Sequence, residues 1–332
     1  VSDRLPDAEI GSRISDASVL RTRAGVPEEA TGYRLVHGEW DGLDGLIVDR
    51  LGDVAFVRYR DVAWAEPDAV DAVIEALRAA GMQSGVWVWD APEKVRAAAP
   101  EAERDAAMKR VREAGFAAPP EPVVITEGTS RFEVDPHAGF SFGLFYDMRA
   151  CRRDLAARWH QRRVLNLFAY TCGFGVALGA DNDVTNVDTS RATLDWGARN
   201  YSLNGLEAAP HTFVAKDAFA YLEVAVRVGN RFDAIVLDPP SYSAGKKGKA
   251  RRFRLASDLP ELAELALSAL TPEGELFVSA NTESIDADAF ANIVSRAAAE
   301  TGRRIVDTWP PAGDFPVPPD RYHLKTALVA RG

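Results

Sequence analysis

Cysteine is nearly absent from this 332-residue chain: Cys151 and Cys172 are the only two. That excludes a disulfide framework and a multi-cysteine zinc site, and it fits a reducing cytoplasm. No metal site is expected. No apolar run approaches the roughly 20 residues of a membrane span, so no membrane association is expected. The opening stretch Val1 to Ile10 is polar and acidic, unlike a secretory leader, and a valine start leaves room for an earlier segment. Positive charge is outnumbered, with 39 Lys and Arg against 49 Asp and Glu. A net charge of −10 argues against non-specific coating of nucleic acid, though not against a local basic patch. There are no internal repeats. What remains is the composition of an ordinary globular protein, long enough for two domains with buried cores.

Residues 1–30 read as a polar, partly helical, weakly specified segment. A small α+β domain is expected over 31–136. Tyr33-Arg-Leu-Val36, Gly45-Leu-Ile-Val-Asp49 and Val54-Ala-Phe-Val-Arg-Tyr59 are short strands between Gly and Asp turns. Pro67 to Ala80 has helical spacing, Val86 to Trp89 reads as a strand, and residues 90–121 read as helical. Val123 to Thr126 and Arg131 to Asp135 form a hairpin about Glu127-Gly128. From 137 to 332 strands and helices alternate, which predicts an α/β, doubly wound, mostly parallel sheet of Rossmann-like type. Its strands are expected at Arg163–Phe168, Val184–Asp188, His211–Ala215, Ala234–Leu237, Glu275–Ser279, Arg304–Asp307 and Leu324–Ala330. Its helices are expected at Asp147–Trp159, Arg191–Leu203, Leu259–Leu270 and Ala287–Glu300.

The most informative stretch is Asp238-Pro239-Pro240-Ser241-Tyr242 at the end of the strand Asp233 to Leu237. Two prolines can neither extend a ladder nor enter a helix interior, so the chain turns a stiff corner there with an acid and a ring. In open α/β sheets ligands bind at the carboxyl ends of the strands. An ordinary strand stop is the plain alternative. Earlier strand ends add to the pattern. The turn Asn166-Leu-Phe168-Ala-Tyr170-Thr171-Cys172-Gly173-Phe-Gly175 bears glycines that permit close approach to a ligand. Asp188 suits a pair of ribose hydroxyls, or is a solvated strand-end acid. Asp217 suits an adenine amine, or is a helix N-cap.

This order of Gly-turn, Asp188, Asp217 and Asp-Pro-Pro-Ser-Tyr resembles a class I S-adenosylmethionine-dependent methyltransferase. Tyr33-Arg-Leu-Val-His-Gly-Glu39 and Asp41-Gly-Leu-Asp-Gly-Leu-Ile-Val-Asp-Arg50 resemble the middle domain of the bacterial 23S ribosomal RNA cytosine-C5 and guanine-N7 methyltransferases. Gly143-Leu-Phe145-Tyr-Asp147-Met-Arg149 and Arg321-Tyr-His-Leu-Lys325 are similar to further segments of that family, over about residues 30–332. The resemblance implies S-adenosylmethionine as cofactor. It implies that Asn166, Phe168, Tyr170, Thr171, Gly173, Gly175, Asp188, Asp217 and Asp238 line its site, with Phe145, Asp147 and Arg149 near cofactor or target. Asp238, Pro239, Pro240 and Tyr242 would hold the acceptor. The plain alternative for Asp147 and Arg149 is a helix-start ion pair.

Two departures from the family stand out. Members begin with a PUA-type RNA-binding domain, whereas about thirty residues precede Tyr33 here, so RNA capture is expected to fall to other surfaces. Cytosine C5 needs a thiolate adding to C6. The relatives carry that cysteine after their fifth strand, where this chain reads Phe277-Val-Ser279-Ala280-Asn281-Thr282. Cys151 and Cys172 read as packing residues. The expected acceptor is therefore a nitrogen or oxygen that already bears a lone pair. Ser279 and Asn281 resemble the Ser-Asn-Asn segment of the guanine-N7 enzymes. Lys246, Lys247, Lys249, Arg251, Arg252 and Arg254 crowd the loop after the acceptor corner, which favours phosphate contact over a merely solvated face. Phe253 is a candidate stacking platform or a core anchor. A small-molecule or protein acceptor, a non-catalytic RNA-binding scaffold, and a monomer or homodimer all remain open.

Overall fold

The computed structural model describes residues 6–90, 101–138, 141–206, 210–243, 253–318 and 321–332. The chain divides into two compact units, residues 1–147 with 312–317, and residues 148–311 with 318–332.

The first unit is built on a four-stranded sheet in the order β1 (Gly32–His37), β2 (Leu46–Leu51), β3 (Val54–Tyr59) and β4 (Ser84–Trp89). The β1–β2 and β2–β3 pairs are antiparallel and β3–β4 is parallel. Helices α1 (Asp7–Arg23), the short α2 (Val26–Glu29), α3 (Pro67–Ala79) and α4 (Glu101–Glu113) complete it, with the hairpin β5 (Val123–Glu127) and β6 (Ser130–Val134). Residues 1–30 were expected to be weakly specified. Instead α1 places Ile10, Ile14, Ala17 and Arg21 on one buried stripe against the small-unit core. The unit also runs past the expected limit of 136. Phe142, Leu144 and Tyr146 are buried, and the Phe142 ring lies edge-on to Phe56 at 5.4 Å and tilted against Tyr146 at 5.2 Å.

Charge is buried here in pairs. The Arg21 guanidinium donates to both carboxylate oxygens of Asp41 at 2.7 and 2.6 Å and to the Arg34 carbonyl at 3.1 Å. Arg34 and Arg58 both donate to Asp49, whose side chain is fully buried. Arg34 also donates to His37 Nδ1 at 2.7 Å. Burial, then the neighbouring Arg34 charge, hold the His37 imidazole down at a pKa of about 4, so it is neutral at physiological pH.

The second unit carries a seven-stranded sheet in the order β14-β15-β13-β10-β7-β8-β9. The strands are β7 (Arg163–Leu167), β8 (Asp183–Asp188), β9 (Thr212–Ala215), β10 (Phe232–Leu237), β13 (Leu270–Asn281), β14 (Arg303–Asp307) and β15 (Leu324–Arg331). All neighbours are parallel except at β15, which runs against β13 and β14. The chain order reverses between β7 and β10, and the crevice at that reversal is where such sheets take ligands.

Strand periodicity sorts side chains onto two faces. Leu165, Leu167, Ile235, Leu237, Leu276, Val278 and Ala280 enter a core covered by α8 (Ala218–Val228), α9 (Leu255–Ser268) and α10 (Ala287–Ala299). Val164, Ala234, Val236 and Phe277 enter a second core with α5 (Arg149–Arg158) and α6 (Gly173–Gly179). The remaining helix α7 (Arg191–Leu203) lies between β8 and β9 in the chain and has the bounds expected from sequence. The entry helix begins at Arg149 rather than Asp147, because Tyr146–Met148 forms a 3-10 turn. Helix α9 begins four residues earlier than expected and carries Pro260 inside it.

Replacing Asp41 with alanine strands the Arg21 cation in the core. The midpoint of urea-induced unfolding should fall by the equivalent of about 3–5 kcal/mol, whereas Arg21→Met in the Asp41→Ala background should recover much of that loss.

Candidate active site

Four consecutive strand ends build the site. After β7 the backbone of Phe168, Tyr170 and Cys172 turns left-handed, with φ of 57°, 49° and 63°. Non-glycine residues in that region cost on the order of 1–3 kcal/mol each and persist only where the surroundings impose them. Here they do. Ala169 N–H donates to the Val187 carbonyl at 3.0 Å and Cys172 N–H to the Ala169 carbonyl at 2.7 Å. Asn200 Nδ2 donates to the Thr171 carbonyl at 3.0 Å. Tyr170 N–H donates to Asp188 Oδ2 at 3.0 Å, while Ser190 N–H donates to Asp188 Oδ1 at 2.8 Å. Asp188 therefore ties the turn after β7 to the turn after β8. The Tyr170 ring lies 6.5 Å from that of Trp196.

Gly175 was expected to let a ligand approach. The space its missing Cβ leaves is taken by protein: a Cβ there would stand 2.3 Å from Asn186 Oδ1 and 2.6 Å from the Tyr201 hydroxyl. Those atoms belong to a buried relay in which Asn166 Nδ2 donates to Asn186 Oδ1 and Asn186 Nδ2 to Tyr201 Oη, each at 2.9 Å. Asn166 thus supports the turn from beneath, with its side chain 2% exposed. Gly173 opens α6 directly after the three left-handed residues.

Cys172 is fully buried, with Gly197 leaving room for its sulfur. Burial first, and then the Asp188 charge, push its thiol well above the ordinary range, so it stays protonated. Cys151 is buried in the core with Leu155 and Trp159. Both cysteines are packing residues, as expected.

Asp217 is an N-cap, accepting from Ala220 N–H at 3.2 Å. The cap fixes its carboxylate at the β9 edge, next to the one that carries Asp188, so the cap and ligand roles are compatible.

At the acceptor corner, Leu237 pairs with Val278 across β10 and β13. The next residues, Asp238 and Ser279, are therefore neighbours, and both point to the α5–α6 face. The Ser279 hydroxyl donates a short hydrogen bond to Asp238 Oδ1. Burial raises the Asp238 pKa above the ordinary carboxylate value, against the opposing pull of Ser279 and of the Arg152 charge. Arg152 is 2% exposed, on α5, with its guanidinium 5.8 Å from the Phe174 ring centre. Neither Ser279 as a partner of Asp238 nor Arg152 was picked out in sequence. The i, i+3 placement of Arg149 and Arg152 on one helix, both buried, was the available signal.

Pro239 is buried and Pro240 exposed. Ser241 Oγ donates to the Asn281 carbonyl. Ala280 faces the opposite core and is fully buried. Tyr242–Ser243 (β11) pairs antiparallel with Phe253–Arg254 (β12). The basic residues Lys246, Lys247, Lys249, Arg251 and Arg252 lie outside the described residues, while Arg254 is exposed. Phe253 is not a stacking platform: it is 4% exposed, packed against Phe168 at 5.6 Å and Phe219 at 6.3 Å. Phe145, 49% exposed, and Asp147 belong to the first unit, and Arg149 is buried at the start of α5 in the second. Among the described residues no group of three or more His, Cys, Asp or Glu side chains is placed to hold a metal, and no helix is long and apolar enough to cross a membrane.

The sequence profile of the S-adenosylmethionine-dependent methyltransferase family matches residues 34–328. The chain belongs to this family. It is 33% identical over 307 residues to ribosomal RNA large subunit methyltransferase I of Aeromonas hydrophila, spanning 90% of this chain and 74% of that one. It is 34% identical over 244 residues to ribosomal RNA large subunit methyltransferase K of Neisseria meningitidis serogroup B, spanning 72% of this chain and 66% of the relative. Its fold matches that of SMU.776, a methyltransferase complexed with SAH, with a TM-score of 0.82 at 21% identity over 99% of this chain and 83% of the other. The methyltransferase from Agrobacterium tumefaciens matches with a TM-score of 0.61 at 20% identity, over 91% and 89%. The enzyme is thus an S-adenosylmethionine-dependent methyltransferase with a mostly parallel seven-stranded catalytic sheet and a small N-terminal sheet unit.

Gly175→Ala should destabilise this methyltransferase by about 1–3 kcal/mol, because the new methyl displaces Asn186 and Tyr201. Thermal unfolding with and without S-adenosylhomocysteine measures the loss. A variant as stable as the parent would remove the relay from the account of the turn.

Proposed function

We propose that this methyltransferase acts on a nitrogen of a ribosomal RNA base. The observation that carries this reading is the acceptor corner, where Asp238 is held by Ser279 and no thiol stands beside it. The residue in the sulfur's expected place is Ala280, buried in the core on the other face. Carbon C5 of cytosine is too weak a nucleophile without a thiolate, whereas a base nitrogen brings its own lone pair.

The donor set fits S-adenosylmethionine. Asp188 offers acceptor oxygens for ribose hydroxyls, Asp217 offers one for an amine, and Phe168, Tyr170, Thr171 and Gly173 border the methionine side. When bound, the cofactor supplies an electrophilic methyl on a sulfonium. The protein's own work is to bring the acceptor nitrogen into line with that methyl and to keep water out. Pro239 and Pro240 stiffen the corner, Tyr242 would flank the acceptor, and Arg149 is assigned to the same site by family likeness.

RNA is the favoured substrate for two reasons. The relatives named above are ribosomal RNA methyltransferases. The basic run also springs from the β11–β12 pair, which starts two residues after Pro240. Lys246, Lys247, Lys249, Arg251, Arg252 and Arg254 would then supply phosphate contacts in an otherwise acidic chain, acting in the cytoplasm.

Incubation with labelled S-adenosylmethionine and unmodified 23S ribosomal RNA, followed by mass spectrometry of the nucleosides, tests the reading. An N-methylated base is expected, and 5-methylcytosine would refute the nitrogen assignment. The combined variant Lys246→Glu, Lys247→Glu, Arg251→Glu and Arg252→Glu should lose RNA binding and flatten its salt dependence by about one unit of slope per contact removed. Calorimetry should show cofactor affinity unchanged.

A further inference from the structure

Asp238 is an uncommon kind of strand-end acid. The residue keeps some solvent exposure while its carboxyl lies deep in the protein. Among the described residues its one hydrogen-bond donor is the Ser279 hydroxyl, and that bond falls on Oδ1. The charged group that faces it is Arg152 on α5. Among the described residues, β7 offers Asn166 on this face and α6 offers Phe174.

A buried carboxylate needs compensation to stay ionised. Ser279 and Arg152 provide it from two different elements, one by a hydrogen bond and one by charge. Ser279 lies between Val278 and Ala280 in the middle of the sheet and is fully buried. Arg152 is 2% exposed on a helix whose other buried residues are Arg149, Cys151 and Leu155.

Resting on the nitrogen-methylation reading above, we propose that Ser279 and Arg152 are positioning residues for methyl transfer. They fix the Asp238 carboxylate with Oδ1 taken by the Ser279 hydroxyl and Oδ2 free to accept a hydrogen bond from an N–H of the methyl acceptor. The substrate class this selects is a base whose reacting nitrogen carries hydrogen, an exocyclic amine, in preference to a bare ring nitrogen. In the step itself the amine lone pair forms the new N–C bond while the C–S bond breaks, its electron pair remaining on sulfur. The proton that the now cationic nitrogen must shed passes to Asp238 Oδ2 and from there to solvent. Ser279 and Arg152 touch neither reactant and act only through Asp238.

The test compares the parent with Ser279→Ala, Ser279→Thr, Arg152→Gln and Arg152→Lys. Titration of the Asp238 carboxyl carbon by NMR, in the complex with S-adenosylhomocysteine and assigned with Asp238→Asn, needs no RNA. The midpoint should rise by about one pH unit in Ser279→Ala and Arg152→Gln, a tenfold change in the ionised fraction at a given pH below it. It should return towards the parent value in Ser279→Thr and Arg152→Lys, which keep the hydroxyl and the charge. The acidic limb of the pH–rate profile for methyl transfer to 23S ribosomal RNA transcripts should move with the midpoint, since protonated Asp238 cannot take the proton that the amine sheds. A midpoint that stays put in Ser279→Ala overturns the positioning role, as does a midpoint that moves without the acidic limb. A 7-methylguanosine product overturns the amine assignment, because that nitrogen bears no hydrogen before transfer. Absence of label in RNA with every variant, the parent included, rejects the RNA reading, while the carboxyl titration still decides the role of Ser279.

Discussion

The cofactor side of the catalytic unit rests on the carboxylate of Asp188. Three non-glycine residues in five positions, Phe168, Tyr170 and Cys172, adopt left-handed backbone, which nothing local favours. The strain is held from the neighbouring strand, chiefly because Asp188 accepts from both Tyr170 N–H and Ser190 N–H. Beneath the turn, Asn166, Asn186 and Tyr201 form a satisfied polar chain whose geometry only a glycine at 175 permits. In the proposed site, stabilisation of the turn and recognition of a ribose fall on one side chain. Each of its oxygens has a further lone pair beyond the backbone bond it already accepts. A ligand that uses those lone pairs meets a carboxylate already immobilised, so little ordering cost is left to binding.

Sheet parity governs the acceptor side in the same way. Because β10 and β13 run parallel with Leu237 opposite Val278, the pair after them is Asp238 and Ser279, on the face away from Ala280. One residue of slip in β10 would turn Asp238 into the aliphatic core and Leu237 out of it. The long apolar runs of these strands pin the register, and the two prolines end β10 at the residue that must carry the acid.

Much of this was legible in the sequence, for identifiable reasons. Buried parallel strands are continuous β-branched runs, so every strand of the large sheet and its order of motifs could be read directly. Helix α1 was not, because its buried stripe has only Ile10 and Ile14 as large apolar members and ends in Arg21, whose partner Asp41 is supplied by tertiary folding. Gly175 and Asn166 were read as ligand contacts by family likeness, and in the structure both meet Asn186, with Tyr201 also against Gly175. Phe253 sat beside a basic run and was an open choice between platform and anchor. Its packing on Phe168 and Phe219 decides it. Ser279 and Arg152 were invisible as a set, because the bond that gives them meaning joins residues 41 positions apart.

The charge on Asp238 also bears on rate as well as on placement. In the nitrogen methylation proposed above, positive charge leaves the sulfonium and develops on the acceptor. A fixed anion beside the acceptor gains attraction as that charge arrives, so it stabilises the transition state more than the ground state. The gain is larger where the dielectric is low, which favours a buried carboxyl over an exposed one. Burial alone would neutralise it, however, since desolvation already lifts its pKa. Arg152 opposes that rise at a distance, and its fixed charge is present in both ground and transition states. Ser279 opposes it through a single hydrogen bond on the oxygen that the acceptor does not need. The corner therefore combines a site dry enough for the charge to matter with just enough compensation to keep the charge there.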